Sequence, residues 1–443
     1  MTTRRFRLAL GSIVLVALAL RAVYAWVLVG DDPLLGDALE FHLQANDLAD
    51  GHGYIQPFLF RSQGIARASA DKPPLYPLLE AAVSVLGGRT WAWHQLVGVV
   101  CGAGTVAATG LLGEHAGGRR AGLLAAGLAA VYPLLIATDG SLRSEAPYAL
   151  LIALVLLAAV ALHERATTRR AVAFGALVGL ATLTRGEAVL LLGLLALARA
   201  GPRRAALAAG ACALVLAPWL VRCWIVFDQP VLIATNVGSL LAGANCDRTY
   251  HGPLLGQWEL ACLPPPRHAN EAREAARLRA IGLRYARDHA GRLPAVLGAR
   301  LGRSFEAFRV RQQAQLEAFY EGRNLRVEQA GVAMYYALLV LGAIGLVTLR
   351  RRGGPWALLV APFGLVAVVS LTAYGFTRFR VAAEPGLVVL AAVGLAASVD
   401  RARAARQRAR GHDGDERERG HLPAPVDGGA ERPDRRGSQQ PAR

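Results

Sequence analysis

The stretch "LALGSIVLVALALRAVYAWVLV", residues 8–29, is apolar almost from end to end. As a helix rising ~1.5 Å per residue it crosses the ~30 Å hydrocarbon core of a bilayer. It is too long for the apolar segment of a secretory signal peptide, and no clear cleavage site accompanies it, so it reads as a retained first span. Runs of the same kind recur at about 92–113, 121–138, 145–163, 171–184, 187–199, 205–226, 331–349, 355–374 and 383–399, in a chain that is 54% hydrophobic. The pattern predicts an all-α polytopic membrane protein with about 10 transmembrane helices.

The formal charge of +17 would suit a nucleic-acid binder. The arginines, however, sit between apolar runs and in the tail, the placement of residues retained on the cytoplasmic side. Arg4, Arg5 and Arg7 put the N-terminus inside. Reading 74–88 as an interfacial or re-entrant helix keeps Arg119–Arg120, Arg169–Arg170, Arg203–Arg204 and Arg350–Arg352 inside as well. Both termini are then cytoplasmic. Four parts are expected: an N-terminal transmembrane module (1–226) with an acid-rich first outer loop (30–73, including Asp31 and Asp32), an extracytoplasmic loop region (227–330), C-terminal transmembrane helices (331–399) and a disordered cytoplasmic tail (400–443). Within 227–330 the chain reads as extended over "QPVLIATNVGSLLAGAN", then helical over 270–289 and again over 305–320, the latter lying on the membrane surface. Of 49 Lys+Arg residues only Lys72 is lysine, a bias that points to a GC-rich genome and hence to a bacterium.

The topology gathers polar residues on the outer face. Asp37 is placed as N-cap of a helix over Ala38–Ala49, or as a catalytic carboxylate. Lys72, ahead of Pro73 and Pro74, is either a snorkelling interfacial lysine or a point charge for a phosphate at headgroup depth. Asp139 is a turn residue or a catalytic acid, and Glu145 favours a helix dipole or serves the reaction. Arg185 and Glu187 stand between two short apolar helices, where charges usually face an interior cavity. Arg378, Arg380 and Glu384 flank the last span. Cys246 and Cys262 lie in the outer loop, where an oxidising compartment favours a disulfide, and their spacing matches no common zinc site.

The segments "GDALEFHLQANDLADGHGY", "DKPPLYPLL", "SEAPYALL", "LTRGEAVLLL", "PWLVRCWIVFDQPVLIATNVGSLLAGAN" and "TRFRVAAEP" resemble, in order, the GT-C glycosyltransferases of the family 39-like branch, related to protein O-mannosyltransferases and lipid A aminoarabinose transferases. The resemblance covers most of residues 1–390. It implies a GT-C-like bundle with outer-face loops and interfacial helices. It also implies transfer of a sugar, hexosyl or pentosyl, from a polyprenyl-phosphate-linked donor to an extracytoplasmic acceptor in the cell envelope, a glycolipid, a cell-wall glycan or a protein. Asp37 matches the presumed base, with Glu145 or Asp139 as the second acidic residue. Lys72, joined by Arg185, Arg378 and Arg380, is expected at the donor phosphate. Asp71 stands where some relatives have glutamate and is a candidate ligand for a divalent metal, which no His/carboxylate cluster in the sequence supports. The first loop lacks the paired acidic motif of protein O-mannosyltransferases, since Ala38 follows Asp37. The competing reading is a transporter or flippase of a lipid-linked sugar, against which stand the absence of an internal repeat and the clustering of charge on one face.

Overall fold

The computed structural model describes residues 1–30 and 36–419. Asp31, Asp32 and the part of the expected tail from 420 to 443 lie outside them. The chain divides into two units, Met1–Ala397 and Ser398–Arg443.

Nineteen α-helices build the described chain, joined by short 3₁₀ turns and, among the described residues, by no strand beyond an isolated bridge between Ile55 and Ala68. They are α1 (Thr3–Val23), continued by a π-helical turn over Tyr24–Val29, α2 (Asp37–Ala49), α3 (Pro57–Gln63), α4 (Leu75–Val85), α5 (Trp91–Gly117), α6 (Arg119–Val131), α7 (Pro133–Gly140), α8 (Glu145–Glu164), α9 (Thr168–Thr182), α10 (Leu194–Leu197), α11 (Pro202–Phe227), α12 (Val237–Ala244), α13 (Asp247–Tyr250), α14 (Glu271–Asp288), α15 (Leu293–Ser304), α16 (Val310–Glu321), α17 (Leu325–Arg351), α18 (Trp356–Thr372) and α19 (Glu384–Arg419).

Among the described residues six helices are long and apolar enough to cross a membrane, and α6 with α7, bent by 57° to one another, form a broken span or a re-entrant loop. The bend falls at Tyr132–Pro133, where proline cannot continue the hydrogen-bond ladder. The remaining expected spans are shorter: α9 has 15 residues, α18 has 17, and the run 187–199 winds as a 3₁₀ turn over Gly186–Gly193 into α10. The protein is thus a multi-pass membrane protein of the expected class, with some spans too short for the full hydrocarbon thickness.

Helix α8, apolar all round, is buried nearly throughout, as its composition dictates. It packs on α5 and α9, with α6 against α5 and α9 against α11. The first half of α19 is buried as completely, from Leu387 to Val393.

The outer loop 227–330 differs from expectation in two places. The segment read as extended contains α12, packed on α14. Of the helix expected over 305–320, only α16 from Val310 forms; Glu306 and Arg309 adopt positive φ and separate it from α15, which ends at Ser304. Glu317 and Glu321 on α16 are buried while Phe319 and Tyr320 are exposed, so this helix turns one face inward and leaves another at the surface. The last helix continues past residue 399 through Arg419. Cys246 and Cys262 are joined in a disulfide.

Candidate active site

Helix α2 begins at Asp37, and its N-cap is Gly36, whose φ of 54° a side chain would resist. Asp37 therefore does not cap the helix, and its carboxylate is free to face inward from the first turn. Lys72 Nζ lies 3.1 Å from Asp37 Oδ1, and Arg143 Nη1 and Arg378 Nη1 lie 3.3 and 3.1 Å from Oδ2. Burial alone would raise the Asp37 carboxyl, but the charges of Lys72, Arg378 and Arg143 outweigh it and hold it well below the usual carboxylate range. The side chain remains 28% exposed, so an incoming group can reach it.

Lys72 also contacts Asp71 at 2.8 Å and Glu40 at 3.3 Å. Its desolvation is more than offset by Asp37, Asp71 and Glu40, which hold the ammonium well above its ordinary range. Glu40 shows the opposite balance: burial pushes it up to about 8 despite Lys72. The lysine backbone is fixed by Tyr54, whose hydroxyl donates to Lys72 O at 3.0 Å. Behind it, Arg222 donates to Ser69 O and Tyr54 O, and Glu271 on α14 accepts from Ala70 N and Gln56 Nε2. Arg222 of α11 and Glu271 of α14 thereby clamp the segment that presents Lys72.

Glu145, at the start of α8, is 2% exposed and accepts from Arg185 Nη1, while Arg185 Nε donates to Glu187 at 2.7 Å. The Arg185 guanidinium lies over the rings of Tyr148 and Phe379. Arg378 joins the groups, with Nε 3.5 Å from Glu145 Oε1 and Nη1 3.3 Å from Glu321 Oε1. Arg143 Nε is 3.0 Å from Glu321 Oε2. Asp37, Lys72, Glu145, Arg185 and Arg378 all line one cavity of about 860 Å³, whose remaining wall is largely aliphatic, including Leu216, Leu220, Leu240 and Leu297. A charged end on an apolar chamber suits an amphiphile.

Two expected site residues lie elsewhere. Asp139 belongs to α7 and is 1% exposed, paired with Arg21 of α1 at 2.7 Å. Arg21 further donates to Ala129 O and Ala130 O, so the pair pins the first span to the bent one. Helix α5 approaches this pair so closely that a Cβ on Gly102 would lie 2.2 Å from Asp139 Oδ2. Arg380 is buried against the Tyr335 ring and paired with Glu384 at 2.7 Å, outside the cavity lining.

The arrangement does not fit a resident metal. Among the described residues no three His, Cys, Asp or Glu side chains are placed to hold an ion. Asp37, Glu40 and Asp71 converge instead on Lys72 Nζ, which supplies the positive charge there.

Sequence reasoning missed Glu321 and Glu40 and left Arg143 without a role. Glu321 carries no local signal, because it lies in an outer-loop helix whose burial depends on tertiary packing.

Residues 71–225 match the model of the family described as dolichyl-phosphate-mannose-protein mannosyltransferase. A comparison with curated proteins gives no match. Among solved structures, the apo oligosaccharyltransferase of Archaeoglobus fulgidus superposes with a TM-score of 0.53 at 14% identity, covering 91% of this chain and 52% of that one. The same enzyme in complex with Zn and sulfate gives a TM-score of 0.54 at 16% identity, over 89% of this chain and 49% of that one. ArnT from Cupriavidus metallidurans bound to undecaprenyl phosphate gives 0.42 at 15% identity, over 89% and 78%. The chain spans about half the length of the oligosaccharyltransferase it matches. Its fold is that of the GT-C membrane glycosyltransferases.

Proposed function

We propose that the protein is a membrane glycosyltransferase that moves a sugar from a polyprenyl-phosphate-linked donor to an extracytoplasmic acceptor. The observation that carries this reading is Asp37, an ionised and partly exposed carboxylate at the charged end of an otherwise aliphatic cavity. It is supported by the family match and by the fold shared with the oligosaccharyltransferase AglB, a protein solved in complex with an inhibitory peptide and a dolichol-phosphate.

In this reaction Asp37 takes the proton from the acceptor hydroxyl or amine. The acceptor atom attacks the anomeric carbon from the face opposite the phosphate. The bond from that carbon to the phosphate oxygen breaks, and its electron pair leaves with the lipid phosphate. The configuration inverts. Glu145, buried and paired with Arg185, holds the cationic side of the site in place rather than exchanging protons. Lys72, Arg185 and Arg378 face the developing phosphate charge. Arg380 and Asp139, which lie outside the cavity lining, serve the fold. The disulfide between Cys246 and Cys262 and the arginine-rich loops support an outward-facing site with both termini in the cytoplasm of a bacterial cell.

The test offers the reconstituted protein a panel of polyprenyl-phosphate-linked hexoses and pentoses and measures release of polyprenyl phosphate. Asp37→Asn is expected to lower turnover by roughly 10²–10⁴-fold, the usual contribution of general acid–base catalysis. Undiminished release in the variant, or translocation of the intact donor without cleavage, overturns the reading.

A further inference from the structure

The cations that line the cavity are Lys72, Arg185, Arg378 and Arg300. The first three are already matched. Lys72 faces Asp37, Glu40 and Asp71, Arg185 faces Glu145 and Glu187, and Arg378 faces Asp37, Glu145 and Glu321. Around them carboxylates outnumber cations, even with Glu40 protonated. A phosphate arriving at this end alone meets no surplus of positive charge.

Arg300 is different. It sits on α15, where Leu293, Leu297 and Arg300 follow at helical spacing and all line the cavity. It is 2% exposed, and among the described residues no carboxylate lies within ion-pair distance of it. Its donors go to neutral acceptors: Leu371 O at 3.2 Å, Ala244 O at 2.6 Å and Asn245 Oδ1 at 3.0 Å. Its Nε has no hydrogen-bond partner. A buried charge without a counter-ion, holding an unused donor, is costly unless an anion completes it.

Arg303, on the same helix, shows that burial without a counter-ion can be fully satisfied. It is also buried, but it lies outside the cavity lining and spends its guanidinium on Leu255 O, Pro253 O, Gln312 and Gln313. The incomplete arginine is the one at the cavity. It stands beside the site: the backbone at Gly375, three residues ahead of Arg378, touches Arg300 so closely that a Cβ there would lie 2.5 Å from Arg300 O.

We infer that Arg300 is the anion anchor of the cavity, its guanidinium holding the phosphate of an amphiphile, an inference that rests on the lipid-phosphate donor proposed above. The separation of labour is electrostatic. Arg300 supplies the uncompensated positive charge that holds the bound phosphate, while the paired cations fix Asp37 and Glu145 and meet the charge that develops as the phosphate leaves.

The test measures binding of polyprenyl phosphate, neutral polyprenol, phosphatidic acid and inorganic phosphate to the full chain in nanodiscs. Two variants are compared with the wild type. Arg300→Met removes the charge. Leu297→Glu keeps Arg300 and its backbone bonds but places a carboxylate one turn away to neutralise it. Both are expected to weaken polyprenyl phosphate at least 10-fold while polyprenol binds as before, and Asp37→Asn is expected to retain polyprenyl phosphate. Equal weakening of phosphatidic acid, which the wild type then binds as well as polyprenyl phosphate, keeps the anchor and removes the polyprenyl donor. Capture of inorganic phosphate with the same loss identifies a free-phosphate site. Unchanged binding of every phosphate in Leu297→Glu overturns the proposal, whether or not Arg300→Met folds.

Discussion

Lys72 Nζ and Asp37 Oδ1 lie 3.1 Å apart, and this ion pair joins the chain's only lysine to a partly exposed carboxylate that lines the cavity. Lys72 is the strongest of the charges that keep Asp37 ionised. Removing it leaves the desolvation of Asp37 opposed only by Arg378 and Arg143. In Lys72→Met the Asp37 carboxyl therefore rises, and the acid limb of the pH–rate profile moves to higher pH. A profile superimposable on that of the wild type, at whatever reduced rate, would show that Lys72 does not set the ionisation of Asp37.

Glu321 ties Arg143 and Arg378 together behind Asp37. Glu321→Gln leaves Arg143 paired with Asp37 alone and Arg378 with Asp37 and Glu145, and shifts the base. A displacement on the ångström scale costs about 10²-fold in rate, so kcat should fall by that order with little change in KM. The double variant Arg143→Met/Glu321→Gln should show a coupling of about 0.5–3 kcal/mol in thermal unfolding, the range for residues in direct contact. Additive single effects would remove Glu321 from the group that positions Asp37.

Asp139 and Arg21 form a buried pair outside the cavity lining. Asp139→Asn strands the Arg21 charge and is expected to cost about 3–5 kcal/mol of stability. Arg21→Met/Asp139→Leu removes both charges and should recover most of that loss together with turnover. A stable but inactive double variant would return Asp139 to the chemistry.

Glu40 ties its pH dependence to folding rather than to turnover. In the folded protein it keeps its proton up to about 8, whereas the unfolded chain releases it near the ordinary glutamate value of 4.5. The folded state thus binds more protons across that interval, and stability falls as pH rises through it. Glu40→Gln removes this contribution. Its melting temperature relative to the wild type should climb between pH 5 and pH 8, and a constant difference would contradict a protonated Glu40.

Much of the architecture was legible because hydrocarbon imposes a length and a composition. The apolar runs around Trp91–Gly117, Glu145–Glu164 and Leu325–Arg351 are helices of spanning length, and Arg119–Val131 with Pro133–Gly140 differs only in the bend that Pro133 forces. The charged turns were legible for a related reason: Asp37, Lys72, Glu145, Arg185 and Arg378 were expected on one face and line one cavity. What stayed hidden depends on contacts between distant segments. Arg21 gains no role from the sequence, and its partner Asp139 reads as a turn residue or a catalytic acid, because neither sequence neighbourhood shows the other. Glu321 and Arg300 sit on helices of the outer loop whose burial no periodicity announces. Gly36 took the capping position from Asp37 through a backbone angle that sequence alone leaves open.

The solitary lysine has a practical side. A chain with one ε-amine offers amine-acylating reagents a single side-chain target, and that target is clasped by Asp37, Glu40 and Asp71. Its nucleophilicity is suppressed as long as the clasp holds, since the ammonium is kept well above its ordinary range. Covalent labelling of a lysine side chain in this protein can only report that the clasp has opened, which makes the native side chain an intrinsic reporter of site occupancy with no engineered probe.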